Sequence, residues 1–348
     1  MNEFNNIESL DKQKIFDVIA SQPNQLRKNY ADEMREDITA KDGAKVHNII
    51  FAGMGGSALA GSIAKNWLFN KITLPFESVR GATLPGYADE NTLVFISSYS
   101  GNTAETISAF NDAVAMKCQI VCITAGGKLI ELADKHSVPV LKLPIVSQPR
   151  LSVFAGLKAL ACSLEDMGFV GNNDLRAELE DAADYLDTVK MSWTTDMEVS
   201  NLAKEIALKL EGSEVYIYSG PMLGSASYKW KIDINENSKQ LAHSNVFSEL
   251  NHNEMQGWLY PENKKIRSII LHSEMDSDDV KKRIKATCEV LKDHGFSPDK
   301  IKAEGSNQIQ QLLYSILLGD FVSAYLGIIN GIDPTPVEIV EAFKAQIA

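Results

Sequence analysis

Hydroxyl side chains crowd a short segment between an apolar run and a helical pattern. The run, residues 92–96, is typical of a buried strand, and the helical pattern begins at Thr103. From the end of this run to the start of the helical pattern, four residues carry hydroxyls: Ser97, Ser98, Ser100 and Thr103. Hydroxyls donate hydrogen bonds to phosphate, Gly101 allows close main-chain approach, and a helix N-terminus adds N–H groups and a positive dipole end. An ordinary N-cap explains one or two hydroxyls, so four within seven residues favour a phosphate-binding site.

A glycine-rich segment at residues 53–58 supports the same interpretation. It follows another apolar run and opens a helical pattern, with Gly56 and Ser57 as its candidate phosphate contacts. A dinucleotide-binding fingerprint would need a third glycine where Ala58 stands, and Glu77 is a poor substitute for its acidic residue. The sequence also lacks a G-x-x-x-x-G-K-[ST] loop. These observations disfavour a nucleotide site.

Apolar runs alternate with helical patterns along the first half of the chain. The runs are 48–52, 74–79, 92–96, 119–123 and 138–143. This alternation predicts an α/β fold in which helices flank a parallel sheet. Segment 215–226 repeats the strand, glycine-rich turn and Ser-Ala helix start of segment 49–58. Any strand–turn–helix unit looks similar, but the repeat favours a second copy of the α/β unit.

The predicted organisation has five segments. They are an N-terminal helical segment (1–45), a first subdomain (46–150), a helical bridge (151–211), a second subdomain (212–330) and a C-terminal helix (331–348). In the second subdomain the loop at 272–279 is rich in carboxylates, which repel phosphate. We therefore expect one phosphate site per chain, in the first subdomain.

Composition limits the functional classes. A chain of 348 residues with 45% hydrophobic content can bury a large core, and a net charge of −12 disfavours nucleic acid as a partner. Cys118 and Cys122 lie four apart without a nearby histidine pair, which disfavours zinc and a disulfide framework. The first residues do not resemble a signal peptide, and the apolar stretch 312–329 contains Asp320, as a buried core helix can. We expect a cytoplasmic protein that contacts neither nucleic acid nor membrane.

Six short motifs in this chain resemble the sugar isomerase (SIS) superfamily, and within it the bifunctional phosphoglucose/phosphomannose isomerases. They lie at residues 53–57, 98–103, 148–150, 235–237, 252–253 and 342–344. The motifs span nearly the whole chain and keep the family's order. The resemblance implies two stacked α/β subdomains and aldose–ketose isomerisation of a hexose 6-phosphate, with no metal or cofactor.

Such an isomerisation needs ring opening, proton transfer between C1 and C2 through a cis-enediol(ate), and stabilisation of the oxyanion. Glu236 is the candidate base, at the end of a helical pattern between two amide residues. From the residues alone a solvated carboxylate is an equal alternative. The family's Asn-Glu-Asn segment, in which the glutamate is the base, favours Glu236. Asp233, three residues earlier on the same helical face, is the competitor.

His252 is the candidate for ring opening, because a neutral imidazole can move a proton between O5 and O1 near pH 7. An isolated loop histidine seldom has such a role, and the assignment depends on the family's His-Asn motif. His243 is the alternative. In the family this histidine enters the partner subunit's site, which implies a homodimer with shared active sites.

Arg150 and Lys344 complete the predicted site. Arg150 follows Pro149, and its permanent positive charge suits an enediolate oxyanion. Lys344 lies near the chain end, where lysines usually face solvent, and its predicted role in ring opening comes from the resemblance alone. The family can carry a threonine associated with mannose 6-phosphate before this lysine. The ungapped position holds Val337, and Thr335 lies two residues away, so the balance between the two aldoses stays open.

The resemblance therefore implies an isomerase that interconverts glucose 6-phosphate and mannose 6-phosphate with fructose 6-phosphate. Two alternatives stay open: another SIS isomerase, acting on a pentose or heptose phosphate, and a non-catalytic sugar-phosphate sensor. The first alternative usually has a single SIS unit. The second would need the hydroxyl-rich loop but not Glu236, Arg150 or His252.

Overall fold

The computed structural model describes residues 4–30, 45–259 and 265–347, and its strands form two parallel sheets. The strands are β1 (Asn48–Gly53), β2 (Phe76–Val79), β3 (Thr92–Ser97), β4 (Gln119–Thr124), β5 (Val140–Lys142), β6 (Glu214–Ser219), β7 (Ala242–Val246), β8 (Ile266–His272) and β9 (Asp299–Lys302). The helices are α1 (Ile7–Leu10), α2 (Ile15–Ser21), α3 (Gly55–Trp67), α4 (Ala104–Ala115), α5 (Lys128–His136), α6 (Val153–Asp166), α7 (Leu175–Val189), α8 (Leu202–Leu210), α9 (Gly224–Asn237), α10 (Asp278–Asp293), α11 (Gln308–Ile329) and α12 (Glu338–Ile347). This confirms the predicted α/β fold.

The chain divides into two compact units. The N-terminal unit is Ser21–Asp184, and the C-terminal unit is Tyr185–Ala348 together with Met1–Ala20. The predicted bridge at 151–211 is not a separate segment. Helix α6, which is buried on all sides from Val153 to Leu164, packs against α3 in the N-terminal unit. Helix α8 buries one apolar face against α11 in the C-terminal unit. The predicted N-terminal segment 1–45 is likewise divided between the units, and its residues 31–44 lie outside the described residues.

The sheet of the N-terminal unit has the strand order β2-β1-β3-β4-β5. Every residue of β3 is buried, and β1 is buried except at Asn48. Strands covered by helices on both faces read as continuous apolar runs, which is why the sequence predicts these two. Their pairing places Gly53 opposite Ser97, so both strands end at the same edge.

The sheet of the C-terminal unit has the order β7-β6-β8-β9. Helix α11 forms its core with 20 buried residues among 22, as predicted for the apolar stretch 312–329. Among the described helices, α11 is long and apolar enough to cross a membrane. However, 94% of its most apolar 18-residue stretch is buried inside the protein. Phe16 of α2 packs against Phe321 and Tyr325 of α11.

Candidate active site

Two strand-to-helix turns adjoin at one edge of the first sheet. At the junction of β1 with α3, Gly55 and Ser57 lie in the first turn of the helix, and the turn from β3 to α4 contains Ser98 and Thr103. The hydroxyl of Ser57 accepts a hydrogen bond from the main-chain N–H of Tyr99 at 2.9 Å. The two loops that the sequence singles out are therefore joined directly.

The four candidate hydroxyls of these turns differ in exposure and bonding. Ser98 is buried and donates to Thr103 Oγ1 at 3.1 Å, so its proton is already used. Thr103 and Ser57 are half-buried, and Ser100 is exposed. Ser100 Oγ accepts from the N–H of Asn102 at 3.2 Å. Ser57, Ser100 and Thr103 thus act as acceptors within the loops, and none of them donates to another described residue, so each can donate its hydroxyl proton to an anion.

Gly101 shapes the second turn. Its φ of +68° lies in the left-handed region, and a Cβ built on it would fall 1.7 Å from the carbonyl oxygen of Gly126. A residue with a side chain would therefore collide with the loop after β4. The turn can approach that loop only with glycine at 101.

The start of α4 is suited to an anion. Thr103 occupies the N-cap position, but among the described residues its side chain accepts from Ser98 and not from a first-turn N–H. Main-chain N–H groups in the first turn of a helix have no partner within the helix. They and the positive end of the helix dipole are available to a phosphate at this position.

Arg150 lies beside the first of these turns. It is 1% exposed, within a short 3-10 turn, Pro149–Leu151. A Cβ built on Gly56 would lie 3.0 Å from the main-chain nitrogen of Arg150, so the absence of a side chain at Gly56 allows this approach. The structure thus brings the predicted residues Gly56, Ser57 and Arg150 together.

Tyr99 has a function that the sequence does not reveal. Its hydroxyl donates to the carbonyl of Val146 at 3.0 Å and accepts from the N–H of Val146 at 2.5 Å. It therefore ties the hydroxyl-rich turn to the segment that precedes Arg150. A tyrosine between two serines carries no periodicity signal, and only the structure shows this contact.

In the C-terminal unit, Glu236 is half-buried in the last turn of α9. The amides on either side of it bond elsewhere. Asn235 Oδ1 accepts from the N–H of Ala242 at 2.8 Å, and Asn237 Nδ2 donates to Ser323 Oγ at 2.8 Å. These bonds fix the end of the helix from two sides, and so fix the main chain that carries Glu236.

Asp233 is not a credible competitor for the role of base, because it lies in the core. It is fully buried, and Lys229 Nζ lies 2.6 Å from its carboxylate and 2.5 Å from that of Asp320. Burial raises the pKa of Asp233 well above its ordinary value, and the neighbouring Asp320 adds to this against the opposing effect of Lys229. The helical pattern predicts Asp233 and Glu236 on one face of the helix. In the structure Asp233 is fully buried, whereas Glu236 is only half-buried.

The two candidate histidines have different surroundings. His252 is exposed at the end of a 3-10 turn, Glu249–His252. His243 lies on β7, where its Nε2 is 3.0 Å from Glu214 and its ring stacks on Tyr216 at 4.8 Å. His243 thus contacts its neighbours on the sheet, whereas His252 is exposed on a turn outside the sheet.

Lys344 lies on α12, all ten residues of which are exposed. Its ammonium forms an ion pair with Glu341 at 2.7 Å. Thr335, the residue near the family's threonine position, is fully buried, and its N–H donates to Asp333 at 3.0 Å. The structure describes Lys344 only as a surface residue, and its role stays a prediction.

The second sheet has a different turn at the corresponding edge. A Cβ built on Gly220, just after β6, would lie 2.4 Å from Asp276 Oδ1. The same carboxylate accepts from the N–H of Ser273 at 2.8 Å, and burial raises its pKa. An anionic side chain of the protein therefore occupies the space beside this glycine.

The described residues contain no group of three or more histidine, cysteine or acidic side chains that could hold a metal ion. The four cysteines are free thiols: Cys118, Cys122, Cys162 and Cys288. Burial raises the pKa of Cys118 to about 11, which disfavours the thiolate that metal binding needs.

Comparison with known families matches both halves of the chain. Residues 44–146 match the SIS domain, and residues 199–347 match the bacterial phospho-glucose isomerase C-terminal SIS domain. The chain is similar to a bifunctional phosphoglucose/phosphomannose isomerase from Aquifex aeolicus, with 36% identity over 90% of this chain and 93% of that protein. The corresponding protein of Caldicellulosiruptor bescii is 34% identical over 96% of this chain and 99% of its own length.

Solved structures are similar in fold. The tagatose-6-phosphate ketose/aldose isomerase of Escherichia coli matches with a TM-score of 0.68, covering 92% of this chain and 94% of that one. The sequence identity of that pair is 15%, so the similarity concerns the fold alone.

Proposed function

The chain belongs to the family of bifunctional phosphoglucose/phosphomannose isomerases, and from this premise we propose that it interconverts glucose 6-phosphate and mannose 6-phosphate with fructose 6-phosphate. The main support within the molecule is the pair of adjoining turns, in which the hydroxyls of Ser57, Ser100 and Thr103 act as acceptors and can donate their protons to an anion. A hexose 6-phosphate offers a phosphate ester for these turns.

The phosphate is assigned to the N-terminal unit. Ser57, Ser100 and Thr103 donate hydroxyl protons, and the first-turn N–H groups of α4 add main-chain donors. Ser98 supports Thr103 through their hydrogen bond, while Gly56 admits Arg150 to the edge of the turn. The bound phosphate holds the sugar in place, so that other side chains can act on C1 and C2.

The chemistry is assigned to four side chains. Glu236 moves the proton between C1 and C2, and Arg150 stabilises the oxygen that becomes negative in the enediolate. His252 moves the proton that opens the ring, and Lys344 hydrogen-bonds the sugar and assists that step. No metal enters this mechanism, since a base and a cation suffice for enediolate chemistry.

We further propose a cytoplasmic homodimer in which His252 serves the partner subunit's site. The exposure of His252 on a short 3-10 turn supports this arrangement, because a side chain directed outward is accessible to a second copy. Small-molecule binding without nucleic acid or membrane agrees with the net charge of −12.

Hydrogen exchange at C2 tests the proposed reaction. In heavy water, EDTA-treated enzyme should incorporate deuterium at C2 of both glucose 6-phosphate and mannose 6-phosphate, because Glu236 exchanges its proton with solvent. The incorporation is followed by NMR. Binding without exchange would identify a sensor, and exchange only with a pentose or heptose phosphate would identify another SIS isomerase. Activity lost with EDTA and restored by zinc would contradict the metal-free mechanism.

Loss of a phosphate contact should weaken binding. We expect Ser100→Ala and Thr103→Ala each to reduce the affinity for fructose 6-phosphate by ~1–3 kcal/mol, since each removes a hydrogen bond to a charged group. Ser163→Ala is a matched control, because this hydroxyl donates only within α6, to the carbonyl of Ala159. Isothermal titration measures the affinities. Unchanged affinity in both variants and in the double variant would refute the phosphate assignment.

A further inference from the structure

The segment that carries His252 is held at several points although the histidine itself is exposed. We call residues 249–259 the His252 segment; it consists of two short 3-10 turns, Glu249–His252 and Glu254–Leu259. Leu250 and Trp258 lie in the apolar core beneath it, at 1% and 7% exposure. The segment thus has an anchored residue on each side of His252.

A polar network adds to this anchoring. Tyr218 Oη, on β6, donates to Glu254 Oε1 at 2.6 Å, and Asn245 Nδ2, on β7, donates to Glu254 Oε2 at 2.6 Å. The indole N–H of Trp258 donates to Tyr218 Oη at 3.1 Å. One buried hydroxyl therefore contacts two residues of the His252 segment, and both oxygens of Glu254 are engaged.

The other side of His252 is also fixed. Asn251 Nδ2 donates to Thr287 Oγ1 of α10 at 2.9 Å, and Asn253 Nδ2 donates to Glu249 at 2.9 Å. Both neighbours of His252 are thus bonded through their side chains. Rotation of the main chain at 252 would break at least one of these bonds.

Tyr218 is well suited to a permanent donor role. It is 1% exposed, and burial together with its bond to Glu254 raises the pKa of its hydroxyl. The hydroxyl therefore keeps its proton at all ordinary pH values. Surface loops usually lack such buried polar connections and are correspondingly mobile.

We propose that Tyr218 is a positioning residue for His252, acting through Glu254 and Trp258 to hold the His252 segment in one conformation. This inference rests on the proposed role of His252 in ring opening. Positioning matters here because a displacement of about 1 Å at a reacting group can lower a rate by about 10²-fold. Tyr218 itself is buried and acts on the reaction only through the residues that it holds.

Tyr216 offers a matched control on the same strand. Its hydroxyl donates to Glu214 at 3.0 Å and forms no hydrogen bond with the described His252 segment. Its ring contacts Trp258 at 5.4 Å between centroids, and the change to phenylalanine keeps that ring. We expect Tyr218→Phe to lower kcat by roughly tenfold with KM within about twofold, and Tyr216→Phe to leave both within about twofold. Activity is measured per folded chain, with folding checked by thermal denaturation. Equal activity of the two variants would overturn the inference.

A double-mutant cycle separates positioning from a general structural effect. In a His252→Ala background, Tyr218→Phe should have less than about a twofold further effect, because the group it positions is gone. The same loss in both backgrounds would overturn the inference. If Tyr218→Phe does not fold, Glu254→Gln takes its place in the cycle, with an expected loss of about threefold that also depends on His252. A wild-type chain without C2 exchange would refute the proposed function, a result distinct from failure of the cycle.

Discussion

Replacement of Glu236 by glutamine should reduce isomerisation by about 10²–10⁴-fold, because the amide keeps the shape of the side chain but cannot accept the C–H proton. The structure supports this choice of base. Glu236 is half-buried at the end of α9, whereas Asp233 is withdrawn into a buried ion cluster with Lys229 and Asp320. Coupled assays in both directions measure the rates, and C2 exchange measures the proton transfer itself.

Two comparisons make this experiment specific. Glu211→Gln, at the exposed end of α8, is a matched control that should keep full activity. Anomerisation of fructose 6-phosphate by Glu236→Gln should persist, since it breaks no C–H bond. Normal isomerisation by Glu236→Gln would remove this residue from the mechanism.

Mixed dimers extend the same experiment to the proposed shared site. Glu236→Gln and His252→Ala chains are each impaired, but a dimer of one with the other would have one site with both groups intact. Activity should return when the chains are mixed and subunit exchange is verified. Verified exchange without any return of activity would show that His252 serves its own chain or no site.

Replacement of Arg150 by methionine should lower kcat by about 10²–10³-fold, because it removes the charge that stabilises the enediolate oxygen. Arg150→Lys keeps a charge but loses the planar guanidinium, so we expect an intermediate loss. Because Arg150 is buried, the free energy of unfolding is measured for each variant beside its steady-state kinetics. A stably folded Arg150→Met with wild-type kcat would contradict the assignment.

Gly56 provides an independent way to move Arg150 without changing it. In Gly56→Ala, the new Cβ would lie 3.0 Å from the nitrogen of Arg150 and would displace that main chain. This variant should therefore share part of the kcat loss of Arg150→Met. At Gly81 an added Cβ meets nothing within 4 Å, so Gly81→Ala is the matched control and should keep its activity.

The strands differ in how far the sequence predicts them. β1 and β3 are buried on both faces, and their apolar runs indicate them plainly. The sequence does not indicate β7 and β9, because both contain few apolar residues and are partly exposed. β2 and β5 are outer strands as well, but they lie within longer apolar runs and are predicted. An outer strand needs few apolar side chains, since one of its edges has no neighbouring strand to cover it.

The candidate site was predictable in part. The hydroxyl-rich turn and the glycine-rich turn were identified from their residue types, and the parallel pairing of β1 with β3 explains why they adjoin. The sequence could not separate Ser98, which uses its proton within the turn, from Thr103, which keeps one. Nor could it show that Tyr99 ties the turn to Val146, because both differences depend on contacts between distant segments.

The carboxylate of Asp276 lies beside Gly220 at the edge of the second sheet. The two sheets therefore differ in whether an anion from solution can bind at this edge. In the second sheet a carboxylate of the chain itself lies beside the glycine, and it opposes an anion from solution by its charge and by the space it fills. The described turns of the first sheet carry hydroxyls at this edge instead, which can donate to an anion from solution. We therefore expect one sugar phosphate per chain, with Asp276 as the residue that excludes a second one.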